Sequence, residues 1–234
     1  MANMFWAAEL LRKELSDMCE KTEKLFAALR RNNINPIYAE TAADAVKIVE
    51  EMLPEGASIR AGGSVSLQES GVWDVINRDK YNFVDRNREG ITPEEREEVF
   101  RTTVGCDYYF CSTNALTENG EIVNVDGFSN RISAIAFGPK KVVLVVGKNK
   151  LVPDITAAFI RIKAVVAPKN CVRLGIQNPC VKLGRCVALQ KTDTPNITDG
   201  CASPTRICRN YLIGAPQRDP ERITLIFVNE DLGY

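Results

Sequence analysis

Lys141-Val-Val-Leu-Val-Val-Gly147 sets five aliphatic residues in a row between a lysine and a glycine. A strand with one wet face alternates apolar and polar residues. A strand apolar on both faces belongs to a sheet covered from both sides, usually a parallel one. Ile223-Thr-Leu-Ile-Phe-Val228 reads the same way. Shorter candidates precede them at Ile34–Ala39, Ala57–Ala61, Tyr81–Val84 and Tyr108–Cys111.

Helical patterns lie between these strands. Thr41 is an N-cap for a helix to Leu53. A helix is expected from Val65 to Asn77. Thr92-Pro-Glu-Glu95 combines a cap, a proline at the first helical position and acids in the first turn. Further helices are expected over Ser129–Phe137 and from Pro153 to Val166. Alternation of strand and helix, with one hairpin, predicts a three-layer α/β fold with a mostly parallel sheet. Residues 3–33 read as a long amphipathic helix, with Leu11, Leu15, Met18, Leu25 and Leu29 on one face. We expect it to pack on the body formed by residues 34–234. A homodimer arm is the alternative, disfavoured by Thr22 in the seam.

The chain has 234 residues, 45% of them apolar, enough for a full core. Thirty basic residues balance thirty acidic ones, which gives no electrostatic case for nucleic acid or a membrane surface. The first residues lack the basic start of a signal peptide, and no apolar run reaches the length of a membrane span, so a cytoplasmic protein is expected. Histidine is absent. That excludes Ser-His-Asp and Cys-His nucleophiles and imidazole metal ligands.

Polar residues crowd between Thr113 and Arg131. Asn119-Gly120 and Asp126-Gly127 are turn dipeptides on either side of a short alternating strand. The resulting strand, turn, strand, turn, helix gathers Thr113, Asn114, Glu118, Asn124, Asp126, Gly127, Asn130 and Arg131. Glu118 is the first candidate for proton transfer or nucleophilic work, and Arg131 for gripping a carboxylate or phosphate. The plain alternative is that Asn114, Asn124 and Asp126 cap turns and Asp126 pairs with Arg131. Gly62-Gly63-Ser64 lies between a strand and a helix, where backbone N–H groups meet anions. It matches neither a dinucleotide fingerprint nor a P-loop, and a tight turn explains it as well.

Five of the eight cysteines fall between 171 and 208. Five, fourteen and six residues lie between Cys180, Cys186, Cys201 and Cys208 in turn, with Cys171 upstream. They lie in a segment, 168–218, rich in Pro, Asn and Thr and poor in periodicity. A connection that long needs something to hold it. Thiolates binding zinc or an iron–sulfur cluster would do so, with buried reduced thiols or labile disulfides as the alternative. Cys19, Cys106 and Cys111 read as small core residues.

Several of these stretches together resemble the lactate-utilisation (LUD) domain family. They are Ala61-Gly-Gly-Ser64, Thr117-Glu-Asn-Gly-Glu121, Asn124-Val-Asp-Gly127, Ser129-Asn-Arg131, Val146-Gly-Lys-Asn-Lys150, Gly184-Arg-Cys186 and Ser203-Pro-Thr-Arg-Ile-Cys208. The resemblance covers most of the chain from residue 40 onward. It implies a fold similar to the ribose-5-phosphate isomerase and CoA-transferase group. It also implies a place in or beside lactate-to-pyruvate oxidation, a small anionic metabolite as ligand and other redox subunits as partners. The sequence departs from the family's cysteine-bearing branch in the fourteen residues, Val187 to Gly200, that separate Cys186 from Cys201. Two other readings stay open: a non-redox isomerase or acyl-CoA-transfer enzyme using Glu118, and a non-catalytic assembly subunit.

Overall fold

A computed structural model describes residues 20–234. The expectations for residues 3–19, including Leu11, Leu15 and Met18, lie outside the described residues. Residues 20–31 form helix α1. The strands are β1 (Ile34–Ala39), β2 (Ser58–Ala61), β3 (Asn82–Phe83), β4 (Tyr108–Cys111), β5 (Ala115–Thr117), β6 (Ile122–Asp126), β7 (Lys141–Gly147), β8 (Leu151–Val152), β9 (Asn210–Gly214) and β10 (Ile223–Val228).

Six of them form one parallel sheet in the order β1-β10-β7-β4-β2-β3. Its two faces sort residues by parity. Val143 and Val145 of β7, Ile226 and Val228 of β10 and Phe110 of β4 pack under α2 (Ala42–Met52), α3 (Val65–Glu69) and α4 (Val72–Ile76). Val142, Leu144, Val146, Leu225, Phe227, Tyr109 and Cys111 face the other way. There they meet Leu25, Phe26 and Leu29 of α1 and Ile135 of α6 (Asn130–Ala136). The continuous apolar runs are therefore buried on both sides, as the sequence predicts.

The expected hairpin leaves the main sheet. Strands β5 and β6 become the middle of a second, mixed sheet in the order β8-β5-β6-β9. Ile122 and Leu116 pack this sheet against the first, while Ala115, Val123 and Val125 pack on Phe159 and Ile162.

Local chemistry explains the helix ends. Thr41 with Asp44, and Thr92 with Glu95, form reciprocal capping boxes on α2 and α5 (Pro93–Thr102). The helix expected over Val65–Asn77 is broken in two at Gly71, which takes φ +76°. The helix expected to stop near Val166 continues. Helix α7 (Ile155–Arg161) passes through a π-helical turn, Ile162–Val166, into α8 (Ala167–Arg173). Pro168 has no N–H to donate, and the Ala167 N–H reaches back to Ile162 O, the five-residue step of a π-turn. The aperiodic segment also carries α9 (Pro179–Leu183) and β9. Among the described residues, no helix is long and apolar enough to cross a membrane.

Candidate functional site

Strands β2 and β4 are neighbours whose exits run apart. From β2 the chain goes outward to the edge strand β3, and from β4 it goes across toward β7. Loops that diverge at the carboxyl ends of parallel strands open a crevice where ligands bind in α/β sheets. Here a cavity of about 340 Å³ opens between Gly63–Ser66 and Ser112–Asn114. Asp126, Gly127, Asn130 and Arg131 complete one wall. Most of the residues singled out in the two loops thus meet around one space.

Their roles divide. Asp126 accepts from Arg131 through Nε at 3.0 Å and Nη2 at 2.6 Å. It also accepts the backbone N–H groups of Arg131 and Ile132, which caps α6 in place of Ser129. Arg131 Nη2 further donates to Asn114 Oδ1 and Val125 O. Asn114 Oδ1 accepts from Val125 N at 2.8 Å, and Thr113 Oγ1 donates to Ala115 O and Val123 O. These residues hold the wall, as the turn-capping alternative anticipates.

Three other candidates stand elsewhere. Glu118 is exposed in the β5–β6 turn, outside the cavity, and its backbone N–H ties to Val152 O. Asn124 is fully buried beside the wall, and neither side-chain polar atom has a partner among the described residues. Gly62 stands behind the cavity, where a Cβ would come 3.0 Å from Tyr109 Oη. Ser64 caps α3 by accepting from Leu67 N. Because α3 is only five residues long, its N-terminus is a weak anion site.

The charge comes instead from side chains that the two motifs do not contain. Arg86, Arg96 and Arg173 line the cavity with Arg131 and Lys150, against Asp126 as the one acid among the lining residues. A Cβ on Gly63 would stand 2.6 Å from Arg86 Nη2 and 3.7 Å from both terminal nitrogens of Arg173. Glycine there lets two guanidinium groups converge over the backbone, and a side chain would make Arg86 shift. Arg86 lies against the Phe100 ring at 5.2 Å, and Arg173 is held by Asn170 and the Tyr234 hydroxyl. Neither arginine has a carboxylate partner among the described residues. Burial lowers the Arg86 pKa, and the charge of Arg173 adds to the effect. Two unpaired cations side by side favour an anion between them.

Lys150 closes the floor. It is 3% exposed, and its ammonium donates to Ser66 Oγ at 2.6 Å and Ser112 Oγ at 2.9 Å. Burial, aided by the charges of Arg161 and Arg131, lowers its pKa to about 7. Lysine at the end of an apolar strand was the one signal for it. Arg86 and Arg173 left none, since each is distant in sequence from both loops.

A second cavity, about 20 Å³, lies next door. Cys171, Cys180, Cys186, Cys201 and Cys208 all line it. Cys180 Sγ and Cys171 Sγ are 3.8 Å apart. Burial raises the Cys180 and Cys208 thiols to about 12, with Cys171 adding to the first and Cys186 to the second. Two cations hold the surrounding loop by its carbonyls. Lys163 donates to Ile197 O and Asp199 O, and Arg206 to Thr198 O, Cys201 O and Cys208 O. Among the described residues, no three His, Cys, Asp or Glu side chains are placed to hold a metal ion. The thiols surround a space without converging on a point. Ile207 lines both cavities, while Asn170 and Cys171, consecutive on α8, line one each.

The LUD domain model matches residues 22–228. The chain belongs to the LUD domain family. All five clustered cysteines, the thiol cavity and every residue lining the anion cavity except Tyr234 fall inside the matched residues. The crystal structure of a DUF162 family protein from Deinococcus radiodurans is similar in fold to this LUD domain. Its TM-score is 0.50 at 11% identity, over 90% of this chain and 97% of that one. No curated protein matches the chain in sequence.

Proposed function

We propose that this LUD domain binds a small carboxylate or phosphate metabolite between its two strand-end loops and works in or beside lactate-to-pyruvate oxidation. The observation that carries the reading is the cavity in which Arg86, Arg96, Arg131 and Arg173 face the single carboxylate of Asp126. Arg131 is committed to Asp126 and shapes the wall. Arg86 and Arg173, free of carboxylates among the described residues, grip the ligand over Gly63, and their planar forks suit a carboxylate or phosphate. We also read the main sheet as related to the ribose-5-phosphate isomerase and CoA-transferase group.

The thiol cavity suits an iron–sulfur cluster or zinc, with Cys180, Cys186, Cys201 and Cys208 as ligands. An all-thiol donor set fits either. Lowered thiol pKa values would accompany loading, because a cation offsets the burial that raises them. Bound beside the anion cavity, a cluster would supply one-electron chemistry. No observation favours Glu118 as a base or nucleophile, given its exposed position outside the cavity.

Calorimetric titration with phosphate, lactate and pyruvate tests the anion site. Arg86→Ala should weaken the tightest of these about 10- to 100-fold, the worth of a charge-assisted hydrogen bond. Unchanged affinity in that variant would remove the site. Iron, sulfide and zinc content of anaerobically purified protein, with its visible spectrum, tests the thiol site.

A further inference from the structure

We propose that Lys150 is the reactive amine of the anion cavity, adding to the carbonyl carbon of a 2-oxo carboxylate whose carboxylate the cavity's arginines hold. The assignment rests on the anion-binding reading above and deepens it.

The setting of Lys150 differs from that of the other buried lysine. Lys163 donates to two backbone carbonyls, Ile197 O and Asp199 O. A carbonyl only accepts, so that cage requires an N–H donor at every contact and serves as a structural clamp. Lys150 meets two hydroxyls, Ser66 Oγ and Ser112 Oγ, and pairs with no carboxylate among the described residues. Hydroxyls accept from an ammonium and can equally donate to an amine lone pair. The Ser66 hydroxyl proton is committed to Leu232 O at 3.1 Å, whereas that of Ser112 has no other acceptor among the described residues. Ser112 can therefore turn its proton toward the lysine nitrogen once the ammonium is lost. The lowered pKa near 7 agrees with a population of free amine at neutral pH.

The chemistry balances without an oxidant. The amine nitrogen attacks the carbonyl carbon, and the carbonyl oxygen takes up a proton to give a carbinolamine. Loss of that oxygen as water, with both nitrogen protons leaving by way of solvent and the serine hydroxyls, gives the imine. The arginines fix the carboxylate end, so the carbonyl is presented to the floor of the cavity rather than to solvent.

The test is trapping. Purified protein is incubated with pyruvate at neutral pH, reduced with borohydride, digested and mapped by mass spectrometry. Calorimetric titration with pyruvate and with phosphate is run on the same preparation. The expected result is one reduced pyruvyl adduct on Lys150, suppressed by excess phosphate and absent from Lys150→Arg. Mapping on the unaltered chain gives the answer even if that variant fails to fold. Anion binding with no adduct on Lys150 would overturn the amine assignment and leave the anion cavity standing. An adduct on other lysines alone would also overturn it. Neither binding nor adduct would overturn both.

Discussion

At Lys150 water is replaced by two hydroxyls and a shell of protein, and arginine charges stand near. The energetic sign follows from the proton count. The unfolded chain keeps this proton up to about its ordinary value of 10.5, and the folded chain only to about 7. Between those values the unfolded state binds more protons, so this residue makes stability rise with pH at up to about 1.4 kcal/mol per unit. Below about 7 both states are charged and the full burial cost is felt. Lys150→Met should lose this rise. Urea unfolding of both proteins from pH 6.5 to 9 should show the wild type gaining about 1–3 kcal/mol on the variant. A difference that does not change with pH would contradict the lowered pKa. The same residue shows where sequence reading stopped. Lys150 sits in a motif quoted for the family resemblance, yet nothing local tells a buried amine from a surface lysine. Its burial is set by Ser66, Ser112 and Leu232, distant in the chain.

At the scale of elements, β7 delivers the cavity floor. Its last residue, Gly147, is pressed against the returning chain after β10. A Cβ there would meet Leu232 N at 2.5 Å and Glu230 O at 2.7 Å, both backbone atoms that cannot rotate aside. Asn149, two residues on, fastens the same segment through Leu232 N and Gly233 O. Gly147→Ala should cost at least about 1–3 kcal/mol, as overpacking does, and should blunt anion binding by shifting Lys150. Thermal unfolding with phosphate titration reads both; a change in neither would show that the strap yields freely. Elements whose determinants are local were legible: the apolar runs of β7 and β10, and the capping boxes at Thr41 and Thr92. Strands β8 and β9 were not, because two to five residues carry too little pattern and their pairing partners lie far along the chain. The helix runs past the stop expected near Val166 because a π-turn absorbs the donor that Pro168 lacks.

Across the whole molecule, helix α1 is part of the core. Leu25, Phe26 and Leu29 close the face of the main sheet that the second sheet leaves open, and Phe26 meets Phe227 edge-on. Leu29 is 0% exposed. Leu29→Ala should destabilise the protein by about 2–5 kcal/mol, with the midpoint of chemical unfolding as the readout. A surface appendage would give a far smaller change. The α/β class and the meeting of the two strand-end loops were legible because both follow from strand order and turn chemistry. Beyond Arg131, the cation cluster was not. Arg86 and Arg173 join it only through tertiary folding, and arginine is common on any surface.

The wall between the two cavities has a practical consequence. Neighbouring residues of α8 face different chambers, and Ile207 belongs to both. Neither chamber can serve as an untouched reference for the other. A cysteine variant that alters anion affinity reports a shared partition before it reports shared chemistry. Separating the two takes a thermodynamic cycle that alters each side of the partition singly and together.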